Sequence, residues 1–117
     1  MSYQIDYLID LDGYLDKVSV AEQRKIARKL QYLQEYGVSP AIRDLKKMRG
    51  YDYWEVRILG KHNTRIFVYQ KKSIVYILHI FRKTSRSTSR KDLVFGQKQL
   101  TKITWHLYLI RYNANYE

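Results

Sequence analysis

Arg57 and Arg65 are the residues from which a reaction can be built. In the run Tyr53-Trp54-Glu55-Val56-Arg57-Ile58, an extended chain alternates its side chains, so Trp54, Val56 and Ile58 share one face and Tyr53, Glu55 and Arg57 the other. The first set reads as core. The next run carries Arg65 between Thr64 and Ile66, and an odd number of residues in the connecting loop puts it across from Arg57 on the same face. Like charges set side by side destabilise a sheet by about a few tenths of a kcal/mol unless an anion bridges them. The pair therefore points to a phosphate. The competing arrangement is structural, with Glu55 as the cross-strand ion-pair partner of Arg57 or Arg65. A third run ends His79-Ile80-Phe81-Arg82-Lys83-Thr84, bringing two more cations to a strand terminus, where a concave sheet lets them converge on one ligand. Alternation groups His79 with Val75 and Ile77, the pattern of a hydrogen-bonded core or rim histidine.

Such a set fits cleavage of a ribose phosphodiester. The 2′-hydroxyl attacks the neighbouring phosphorus, which calls for a base, for cations against the added negative charge, and for a proton donor to the leaving 5′-oxygen. Arg57 and Arg65 match the phosphate oxygens with planar forks. Glu55 is the base by ordinary pKa, although a lysine crowded by arginines also qualifies. Lys83 or His79 serves the leaving oxygen. Tyr53, Tyr69 and Phe81 offer rings on which a base can stack, and Lys46, Lys47, Arg82 and Arg86 offer further contacts to RNA phosphates. The chain has no Cys and three His, at 62, 79 and 106, so neither a disulfide framework nor a Cys/His metal site is expected, and no cofactor is called for.

The elements that must hold these groups are legible as patterns. Tyr3-Ile5-Tyr7 alternates as a short strand, and Asp10 caps one helical turn over Leu11, Tyr14 and Leu15. Ser19 with Glu22 forms a capping box, Ile26, Leu30 and Leu33 recur at helical spacing, and Gly37 and Pro40 stop the run, predicting a helix over 19–36. An irregular segment follows, with Ile42, Leu45 and Met48. Strands are then predicted at 53–59, 64–70 and 73–81, and their short connections imply an antiparallel meander. Ser89 and Asp92 repeat the capping signature before apolar residues at 93, 96, 100, 103, 107 and 110, predicting a helix over about 90–110. Its other side carries Phe95, Trp105 and Tyr108, either a second contact face or aromatics that wrap the domain. The fold class is α+β: an N-terminal strand and helical hairpin packed on a small antiparallel sheet, closed by a C-terminal helix, all in a single domain over residues 1–117.

Charge names the partner. Net charge is +11 on 117 residues, a self-repulsion that a nearby polyanion relieves. Residues 1–23 carry five acids and one lysine, net −4, which leaves +15 on the remainder. Between Arg82 and Lys91 there are five bases and no acid, interleaved with Ser and Thr. The longest apolar run, near Ile74 to Phe81, is too short and too polar to span a bilayer. With no signal-peptide pattern and no Cys, the expected location is the cytoplasm.

The order of these motifs resembles the RelE/HigB toxin superfamily, in particular its phage-derived Gp49-like branch. The resemblance rests on Met48-x-Gly50 leading into Tyr53-Trp54-Glu55-Val56-Arg57, then Thr64-Arg65-Ile66-Phe67, then Leu78-His79-Ile80-Phe81-Arg82-Lys83-Thr84 ahead of the last helix, and it covers most of residues 3–100. It implies a RelE-like fold and an endoribonuclease that cuts mRNA on the ribosome. It also implies a cognate antitoxin, often a small helix-turn-helix protein, that holds the enzyme inactive. By motif position Arg57, Arg65 and Lys83 fall where the superfamily places cationic catalytic residues, and Glu55 where members carry either Lys or an acid. Two features depart from the branch: Arg82-Lys83 stands where two lysines are usual, and the tail after about Gln99 is unusually aromatic. A non-catalytic nucleic-acid-binding module on the same scaffold, or a subunit that binds proteins through its last helix, are the competing readings.

Overall fold

Ser19 Oγ accepts a hydrogen bond from Glu22 N at 3.2 Å and starts the main helix as its spacing predicts, but the Glu22 side chain does not turn back to complete the box. Its carboxylate instead accepts from Thr64 Oγ1 at 2.7 Å, and Tyr14 OH shares a 2.7 Å hydrogen bond with the same hydroxyl. The cap thus ties the helical hairpin to the sheet. The computed structural model describes residues 2–116, with side chains through residue 113.

In chain order the elements are β1 (Gln4–Tyr7), α1 (Leu11–Leu15), α2 (Val20–Tyr36), β2 (Leu45–Lys47), β3 (Trp54–Ile58), β4 (Thr64–Lys71), β5 (Ile74–Arg82) and α3 (Arg90–Tyr116). One five-stranded sheet forms in the order β1-β5-β4-β3-β2. The meander β3-β4-β5 is antiparallel as expected, and so is β2-β3. Two features correct the sequence reading. The segment read as irregular contains β2, which is three residues long and mostly exposed and so shows no alternation. β1 joins the sheet parallel to β5, Gln4 opposite Ile74, because the helical hairpin returns the chain across the sheet rather than along it. The fold remains α+β, with helices covering both faces.

Ile26, Leu30 and Leu33 of α2 pack against Val56, Ile58, Ile66, Val68, Val75, Ile77 and Ile80. On the opposite face, Leu100 and Ile103 of α3 close over Met48, Tyr53, Phe67, Leu78 and Phe81. α3 contributes aliphatic side chains to this second core, while its aromatics Phe95, Trp105 and Tyr108 stay exposed. Gly96 sits at its closest approach: a Cβ there would lie 2.8 Å from Phe67 and 3.1 Å from the Tyr53 ring. Tyr53 OH donates to Leu93 O at 2.9 Å and anchors the helix. Burying Phe67 completely contributes roughly 2–3 kcal/mol, and Phe67→Ala would cost about 3–5 kcal/mol.

α3 runs to Tyr116, past the predicted end, because nothing after Gln99 breaks a helix. At 27 residues it spans about 40 Å, and Ile110 and Arg111 still line a cavity with the β4–β5 turn and the start of β5. Ile110 is exposed there, and Trp105, Tyr108 and Tyr112 form a ladder of rings with centroids 5.5 and 6.3 Å apart.

Candidate active site

Five residues, Leu59 to Asn63, connect β3 to β4, and that odd number sets the register: Arg57 lies opposite Arg65, and Arg65 opposite Phe81. The row extends past β2. Leu45 pairs with Val56, and Arg57 N donates to Asp44 O at 2.9 Å, which brings Asp44 beside Arg57. One row along, Lys46, Glu55, Phe67 and His79 lie side by side. Lys83 falls one residue beyond β5, where its N–H donates to Asn63 O at 3.0 Å, and by alternation it shares the face of Arg65.

Burial grades this cluster. Arg65 is 3% exposed and Glu55 2%, whereas Arg57, Asp44 and Lys83 are half-buried. Arg65 Nε lies 3.7 Å from Glu55 Oε1, and Arg65 Nη1 donates to Thr64 O at 3.1 Å. Thr88, between β5 and α3, donates to Glu55 Oε2 at 3.3 Å and closes that segment over the pair. Burial pushes the Arg65 pKa down and Arg57 adds to the fall, while Glu55 and Asp44 oppose it. Among the described residues, the buried side-chain polar atoms with no hydrogen-bond partner are Ser39 Oγ, Arg57 Nε and Arg65 Nε. Arg65 Nε faces the Glu55 carboxylate in an ion pair, whereas a buried donor such as Arg57 Nε, with no partner, is unusual and favours an anion that completes it.

Other predicted site residues land elsewhere. Glu55 is sealed beneath Thr88 and bonded to Arg65, so it is not open to take a proton from a ligand, and the ion-pair arrangement is the one realised. His79 does not share a face with Val75 and Ile77. Phe67 pairs with His79 but Val68 with Ile77, so Leu78 is an extra residue and the bulge flips the alternation. His79 consequently faces α3, between Phe95 and Phe81 at 4.5 and 4.7 Å, and its Nε2 shares a 2.8 Å hydrogen bond with Asp92 Oδ1. Burial holds its pKa below the usual histidine value despite Asp92.

Tyr53 and Phe81, read as stacking rings, are buried in the second core and closed to a base. Tyr69 packs on Tyr76, four residues along β4 from Arg65 and so about 13 Å away. Arg82 pairs with Thr64 on the opposite face, within electrostatic reach of Tyr14. Lys47 turns its Nζ to Met48 O and Tyr51 O and braces the turn before β3. Lys46 and Arg86 are exposed. Asp44 is the residue that the sequence reading missed. Its signal, an acid one residue ahead of a strand, appears only once β2 is known.

Among known proteins, the family model described as Phage derived protein Gp49-like (DUF891) matches residues 13–101. Of solved structures, a double arginine-to-alanine variant of the E. coli toxin RelE in the free state superposes with a TM-score of 0.61 at 16% identity, covering 85% of this chain and 98% of that one. The likeness is one of fold. No curated protein matches the sequence.

Proposed function

Because the chain belongs to the phage-derived Gp49-like family and sets two guanidinium groups opposite one another, we propose that it is the toxin of a toxin–antitoxin pair and an endoribonuclease acting on mRNA at the ribosome. The observation that carries this reading is the pair Arg57–Arg65, opposed across two strands, with Arg57 Nε buried and without a hydrogen-bond partner and Arg65 Nε held only by its 3.7 Å ion pair to Glu55. A phosphodiester bound there completes the donor that the fold leaves open at Arg57.

In the reaction, the ribose 2′-oxygen bonds to phosphorus, its proton passes to a base, and the bond to the 5′-oxygen breaks as that oxygen gains a proton. The products are a 2′,3′-cyclic phosphate and a 5′-hydroxyl, and no metal is required. Arg57, the more exposed guanidinium, meets the phosphate first, and Arg65 backs it with charge. Lys83 serves the leaving oxygen. Asp44, half-buried beside Arg57, accepts the 2′-hydroxyl proton in place of the sealed Glu55, which acts as a positioning residue for Arg65. A cognate antitoxin, acidic or of helix-turn-helix type, covers the +15 body.

The test is cleavage of RNA, free and on ribosomes, with end-group analysis for 2′,3′-cyclic phosphate. Arg57→Ala and Lys83→Ala each lower the rate about 10²–10³-fold, and Arg65→Lys, which keeps charge but loses the fork, falls between them and wild type. Wild-type protein that binds ribosomes and leaves every RNA intact would overturn the enzymatic reading.

A further inference from the structure

A second cationic site lies at the sheet edge, behind Arg57. Lys25, Arg28, Lys29 and Tyr32 are spaced at three and four residues, so they share one flank of α2. Facing them are Arg43 and Asp44 and the end of β3, and together these enclose a cavity of about 590 Å³ lined by Arg57 at its inner side. Two of the lysines are fixed in place: Lys25 Nζ donates to Leu59 O at 3.0 Å, and Lys29 Nζ to Arg43 O at 2.7 Å. Burial holds the Lys29 pKa down, Asp44 opposes the fall, and Arg43 adds to it. Arg28 and Arg43 are exposed, and neither takes part in an ion pair among the described residues. Five cations around one cavity with a single acid repel one another unless an anion enters.

On the same flank of α2 as these lysines and Arg28 lies the Tyr32 ring, 39% exposed. Cations that follow a backbone beside an open aromatic ring form the combination by which proteins hold single-stranded nucleic acid, and a bare phosphate has no use for the ring. We propose that this cavity, bounded by α2, residues 41–44 and the end of β3, is a nucleotide subsite that binds the RNA backbone next to the phosphate held at Arg57, with the neighbouring base laid on Tyr32. The inference rests on the RNA substrate of the reading above. It runs the strand over α2 and away from α3.

The test uses a fully 2′-O-methylated oligonucleotide, which cannot be cut, titrated from low to high salt. Arg28→Gln with Arg43→Gln removes two phosphate contacts without disturbing a bond of the fold, so the slope of log affinity against log salt shrinks by about 1.4. Lys98→Gln with Arg111→Gln, exposed residues of α3, removes the same charge and leaves the slope as in wild type. Tyr32→Ala weakens the oligonucleotide at least about fivefold and leaves inorganic polyphosphate unchanged. An unaltered slope in the first variant, an equal loss in the α3 variant, or a Tyr32→Ala effect that is absent or identical for polyphosphate would each overturn the assignment. A wild-type protein that never cleaves RNA yet shows these shifts would sink the nuclease reading and leave this subsite standing.

Discussion

Glu55 meets Arg65 diagonally across β3 and β4, Oε1 to Nε at 3.7 Å, with both side chains almost wholly out of water. A buried pair of this kind is held less by its attraction than by the cost of leaving either member alone. Glu55→Gln strands the Arg65 charge and lowers stability by about 3 kcal/mol in urea unfolding. Glu55→Gln combined with Arg65→Met recovers most of that loss in stability, while removal of the Arg65 fork still lowers cleavage. A Glu55→Gln protein as stable as wild type would show that the contact holds nothing.

Gly96→Ala tests the second core. In an exposed helix the change gains about 1 kcal/mol. Here the new methyl meets Phe67 at 2.8 Å, and overpacking of that kind costs about 1–3 kcal/mol. The expected outcome is a lower melting temperature, where helix propensity alone predicts a higher one.

His79 sets a pH dependence. Burial depresses its folded pKa below 6.5, the unfolded value, so over that interval the unfolded chain binds a proton that the folded chain refuses. The stability contribution of His79 is complete above about pH 6.5 and is lost as pH falls through the folded pKa. Unfolding midpoints at pH 7.5 and 5.5 differ for wild type, and the part of that difference owed to His79 vanishes in His79→Gln.

Shortening α3 separates its buried packing from its exposed end. Ending the chain after Gln99 removes Leu100 and Ile103, both buried, and destabilises the fold by several kcal/mol, since each such side chain is worth about 2–5 kcal/mol. Ending it after Tyr108 keeps both, and the melting temperature stays within a few degrees of wild type.

Periodicity exposed α2, the meander and α3 because each buries a regular face, whereas the register across residues 60–63 stayed open in the sequence and is set by β3 ending at Ile58, which leaves five connecting residues and opposes Arg57 to Arg65. What escaped is non-local. β2 is too short and too exposed to alternate, and Asp44 depends on it. The bulge at Leu78 adds one residue without changing composition, so His79 reads on the wrong side. The burial of Tyr53 and Phe81 follows from Gly96, which lets α3 press close to the sheet, and a single glycine in a helical run does not announce that. The E. coli RelE structure, with 98% of its chain covered at 16% identity, shares the architecture and informs none of these side chains.

The parallel pairing of β1 with β5 carries a consequence for synthesis. Gln4 finds its partner at Ile74, so during translation the first strand waits, unpaired, until some seventy later residues have left the ribosome. Closure of so distant a contact is slow compared with helix formation, and β5 must emerge before Arg65 gains its neighbour Phe81. A nascent chain therefore cannot close its sheet until β5 has emerged, an interval in which a binding partner can reach it first.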